Sequence, residues 1–66
     1  MSKPDLAALR AHAISVLAEA GVPSPEADAD LLIGHVLGMS RGQVQAKALM
    51  GAPVDAEQVM TITEFI

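Results

Sequence analysis

Glycine and proline divide this chain of 66 residues into four stretches, and each stretch carries apolar residues at steps of three and four. That spacing places side chains on one face of a helix and fits no strand. The first stretch, from about Pro4 to Ala20, sets Leu6, Leu9, Ala13, Leu17 and Ala20 in one stripe. Ser2 is placed to cap it, Pro4 is tolerated in a first turn, and Gly21 stands where a helix hands over to a left-handed residue. The second opens on Ser24-Pro25-Glu26, a serine cap followed by proline and an acid, and ends at Gly38. Ala27, Leu31, Leu32, Ile33, Val36 and Leu37 give it a wide apolar face. Ser40-Arg41-Gly42-Gln43 has the form of a capping box for a third helix that runs to about Met50 and is closed by Gly51. Asp55-Ala56-Glu57-Gln58 repeats that logic for a fourth, along which Val59, Ile62 and Ile66 share a face. The expected fold is therefore all-α, a small bundle of four short helices in one domain spanning residues 1–66, with two- to four-residue loops that make neighbours pack together.

The core of such a bundle is thin. A domain of this size buries only about 60% of its unfolded surface. Twelve residues are alanine and Phe65 is the only aromatic. Thr63-Glu64-Phe65-Ile66 ends without a terminal glycine or a basic residue and leaves two bulky apolar side chains at the end. That pattern reads as an N-terminal piece whose natural sequence continues, a fragment of a bundle of about five helices.

Charge and composition exclude several classes. Four Lys and Arg against eight Asp and Glu give a net charge of −4. No basic stripe is available to displace counterions from a nucleic acid, and no aromatic platform to stack bases. With no cysteine there is neither a disulfide framework nor a thiolate metal site, which is compatible with a reducing cytoplasm. Apolar runs are too short to span a bilayer, and no basic-then-apolar leader opens the chain.

Few residues suggest chemistry. Asp28 and Asp30 are two apart, so on a helix they project about 200° from each other and cannot share an ion. Glu26 and Asp30, four apart, share a face, and acids near a helix N-terminus complement its dipole. His35 is expected to be partly buried, His12 to lie on the surface, and Ser40 to serve as a cap. Gly34 inside a helix allows close packing of another helix. No phosphate loop, zinc-binding helix or nucleophile elbow is present, and the Asp-Ser-Leu of an acyl carrier is missing. No catalytic, cofactor-binding or metal-binding residue emerges. Glu26, Asp30, Arg41 and Gln45 stand as exposed polar candidates for partner contact, and Leu32 as a core residue.

One stretch carries a resemblance. Gly21-Val22-Pro23-Ser24-Pro25 and the following Asp28-Ala29-Asp30-Leu31-Leu32 resemble the opening of HemK-type peptide chain release factor glutamine methyltransferases, as do His35-Val36-Leu37-Gly38 and Ser40-Arg41. Asp30 stands in place of a more usual glutamate, and Gly34 in place of a helix-favouring residue. The resemblance implies an N-terminal helical substrate-recognition domain preceding a Rossmann-like catalytic domain. That second domain would bind S-adenosylmethionine through a Gly-rich loop and engage the substrate through Asn-Pro-Pro-Tyr. The reaction implied is N5-methylation of the glutamine in the Gly-Gly-Gln loop of class-1 release factors in the cytoplasm. Partners would be the release factor and the catalytic domain in cis, with no nucleic acid or membrane, and no cofactor on these 66 residues. The competing reading is a free-standing acidic helical adaptor or dimerisation module.

Overall fold

The computed structural model describes residues 4–65. They form four helices, α1 (Leu6–Glu19), α2 (Pro25–Leu37), α3 (Arg41–Leu49) and α4 (Ala56–Phe65), with no strand among the described residues. Helices α1 and α2 each touch the other three, whereas α3 and α4 do not meet.

Each boundary has a local cause. The cap of α1 is Asp5 rather than Ser2, which lies outside the described residues. Asp5 Oδ1 accepts from the Ala8 N–H at 2.7 Å, and this short acceptor three residues ahead starts the helix after Pro4. Ser24 occupies the cap of α2 but makes no side-chain bond there. Ser40 and Gln43 complete a reciprocal capping box, at 3.2 and 2.8 Å. On α4 the Gln58 side chain accepts from the Asp55 N–H at 3.1 Å. Helices α1 and α3 both close in the same way. Gly21 donates to Ala18 and Val22 to Leu17, while Gly51 donates to Ala48 and Ala52 to Lys47. This paired closure needs a left-handed residue, and the two glycines sit at φ 84° and 69°.

The chain entrance is tied to the α3–α4 loop. Leu6 N–H, an orphan donor of the first turn, bonds the Ala52 carbonyl at 2.8 Å, and Val54 N–H bonds the Pro4 carbonyl at 3.1 Å. The core is Leu6, Leu9 and Ala13 from α1, Ala29 and Ile33 from α2, Val44 from α3, Val54, and Ile62 from α4. The α1 stripe thus holds through Ala13, with Leu17 packed at its edge and Ala20 exposed. The buried face of α2 is rotated from the expected one. Ala29, Asp30, Ile33 and Gly34 point inward, Leu32 is half-buried, and Leu31 is exposed. Ile66, expected to extend the α4 stripe, lies outside the described residues. No helix of the described chain is long and apolar enough to cross a membrane.

Gly34 explains part of that rotation. A Cβ at this position would sit 2.4 Å from the Met39 carbonyl oxygen and 3.5 Å from Val44 Cγ2. The Gly34 carbonyl in turn accepts from the Met39 N–H at 2.8 Å. The absent side chain therefore lets the α2–α3 turn fold back tightly and presses α3 onto α2.

Candidate functional site

The one buried charge among the described residues is the point at which three helices converge. Asp30 faces inward between Ala29 and Ile33, and its side chain is 0% exposed. An ionised carboxylate in that position is stable only if donors surround it. They come from two other helices. Arg10 of α1 grips it side-on, with Nε on Oδ1 at 2.5 Å and Nη2 on Oδ2 at 3.2 Å. From α3, Arg41 Nε reaches Oδ2 at 3.3 Å and Gln45 Nε2 reaches it at 3.1 Å. Arg41 and Gln45 are four apart, so one face of α3 delivers both.

The electrostatics follow from that arrangement. The hydrogen bonds from Arg10, and then those from Gln45 and Arg41, outweigh burial and hold the Asp30 carboxyl below the usual carboxylate range. Arg10 is correspondingly raised, by its bond to Asp30 first and by the nearby charges of Asp30 and Glu26. A carboxylate that is 0% exposed and engaged by three side chains presents no oxygen to solvent. Its chemistry is structural: it fastens α1 and α3 to α2.

The expectation that Asp30 is exposed is thereby overturned. The periodicity argument that separated Asp28 from Asp30 holds, since Asp28 is exposed while Asp30 is buried. Arg41 and Gln45 are brought to Asp30 and remain solvent-accessible, Arg41 with 51% of its side chain exposed. Glu26 is exposed and lines a shallow depression with Pro23, Ser24, Pro25, Ala27 and Arg41. Three of the four candidates are therefore exposed, and two of them, Arg41 and Gln45, also bond the buried Asp30. Arg10 was not singled out by the sequence. Its signal was position: it lies one turn from both Leu6 and Ala13 on the inward stripe of α1.

Two grooves lie between the helices. A groove of about 420 Å³ between α1 and α3 is lined by Ala7, Ala11, Ile14, Ala48 and Leu49, with Arg10 and Gln45 along it. A second, between α2 and α4, is lined by His35, Val36, Glu57, Gln58, Thr61 and Phe65. His35 is exposed there, not partly buried as expected, because the rotation of α2 carries it outward. His12 is exposed on α1. No group of three His, Cys, Asp or Glu able to hold a metal ion occurs among the described residues.

Comparison with known proteins places these observations in a family. The family model described as the PrmC N-terminal domain matches residues 8–66. No curated protein sequence and no solved structure gives a significant match.

Proposed function

Because this chain belongs to the PrmC N-terminal domain family, we propose that it is the helical N-terminal module of a release factor glutamine methyltransferase and helps to hold the protein substrate. The observation that carries this reading is the family match, which runs through all four helices and stops short only of the first seven residues. The substrate of the whole enzyme would be the Gly-Gly-Gln glutamine of a class-1 release factor, in the cytoplasm, with S-adenosylmethionine as methyl donor. The described residues do not suit that cofactor. They contain no strand and no strand-to-helix glycine loop to seat it. On this reading methyl transfer would belong to other polypeptide, and the contribution of this chain would be positional.

The Asp30 anchor supports that division of labour. It ties α1 and α3 to α2 and holds Arg41 and Gln45 in place at the surface. Preorganised polar groups of this kind lower the ordering penalty of docking a protein. Asp30 acts from beneath the surface, and Glu26, Arg41 and Gln45 provide the contacts.

Sequencing the parent reading frame beyond the Ile66 codon tests the assignment. It is expected to encode a Gly-rich cofactor loop and an Asn-Pro-Pro-Tyr motif. A downstream region with neither, or a stop codon, contradicts it. One observation favours the adaptor alternative, namely the exposure of Leu49, Met50, Met60 and Phe65. Concentration-dependent dimerisation in sedimentation would support that reading instead.

A further inference from the structure

The geometry points to the α2–α4 groove as a seat for an arginine side chain of a partner protein. This inference does not depend on the methyltransferase reading. The groove has about 400 Å³ of open volume, enough for one long side chain. Glu57 provides a carboxylate, the Phe65 ring and the His35 imidazole provide flat faces, and Val36 provides an apolar wall. Phe65 is 66% exposed and is the only aromatic of the chain, so its ring is not spent on the core.

The Thr61 hydroxyl donates to the Glu57 carbonyl at 2.9 Å, which leaves its oxygen to accept from an incoming donor. The Gln58 oxygen is taken by the Asp55 N–H at 3.1 Å. The Glu57 carboxylate has no hydrogen-bonded or ion-paired partner among the described residues. No Lys or Arg lines the groove, and the chain carries a net charge of −4. A carboxylate beside an aromatic face in a negatively charged surrounding matches a guanidinium. That group is planar, stacks on rings, and donates a bidentate pair of hydrogen bonds to a carboxylate. A lysine ammonium would supply the same charge without the planar face that stacks on a ring. An acidic or nucleic-acid partner would be repelled.

The test uses N-acetyl-arginine amide against N-acetyl-citrulline amide, its neutral counterpart of similar shape, titrated into the isotope-labelled chain at pH 8 and low salt. The expected result is saturable shifts confined to His35, Val36, Glu57, Thr61 and Phe65. Citrulline should bind about threefold more weakly or worse, in line with one exposed cation–π and ion-pair contact. Glu57→Gln and Phe65→Ala should each weaken the arginine probe by about threefold. Both positions are exposed, and an unchanged helical circular dichroism spectrum verifies that the variants fold. Equal response to arginine and citrulline, shifts spread evenly over Glu19, Glu26 and Asp28, or no saturable response overturns the inference. A release factor is absent from the assay, so failure here leaves the proposed function standing, and failure of that function leaves this result standing.

Discussion

Replacing Asp30 by alanine removes the acceptor shared by Arg10, Arg41 and Gln45. The loss falls unevenly. Gln45 is exposed and regains water, and Arg41 has half its side chain in solvent, but Arg10 keeps only 26% of its side chain exposed. Breaking a buried pair from one side costs about 3–5 kcal/mol, and partial rehydration of the two arginines reduces this to about 2–4 kcal/mol. A chain of 66 residues has a total stability of about 3–10 kcal/mol at the usual per-residue scale. The substitution therefore removes a large share of the whole. At roughly 4–8 °C per kcal/mol for a domain of this size, Tm should fall on the order of 10–20 °C. Circular dichroism melting, with urea unfolding to obtain the slope, measures it. Asp30→Asn keeps the shape and one acceptor but loses the charge, so it should fall between the two. A Tm change within about 2 °C for Asp30→Ala would refute the idea that this carboxylate joins the three helices.

Other outcomes follow from the same geometry. Gly34→Ala gains about 1 kcal/mol of helix propensity but drives a Cβ to 2.4 Å from a backbone oxygen, and overpacking of this kind costs about 1–3 kcal/mol or more, so the variant should melt lower. Ile33→Ala should lose about 2–5 kcal/mol and Leu32→Ala less than half as much, read by urea denaturation, because Ile33 is fully buried and Leu32 only partly. Stability should also depend on acid pH. The folded Asp30 carboxyl titrates below its unfolded range, so its contribution is complete above about pH 5 and is lost as pH falls through the folded value. Melting of the wild type from pH 6 to pH 2 should therefore decline more steeply than melting of Asp30→Ala.

Much of this bundle was legible because it rests on local chemistry. The Ser40–Gln43 box, the closures at Gly21 and Gly51, and the close approach at Gly34 each depend on residues a few positions apart. The α1 cap was misplaced by three residues because Ser2 and Asp5 both suit the role, and only the bond from Ala8 distinguishes them. The site was less legible. Counting apolar residues assigns Asp30 to the surface, yet it turns inward because donors 20, 11 and 15 residues away in sequence meet it there. That reversal turns α2, leaving Leu31 and His35 outside and Ala29 and Ile33 inside. Long-range pairing of this kind leaves no periodic trace.

The proposed role of this bundle is to dock a release factor. Titrating the isotope-labelled chain with an unlabelled class-1 release factor tests it most directly. The account predicts saturable resonance changes at Glu26, Arg41 and Gln45, with the amides of Ala29 and Ile33 keeping their hydrogen-exchange protection. The absence of any change at about 100 μM release factor, where a complex of about −5.5 kcal/mol would be half formed, would contradict it.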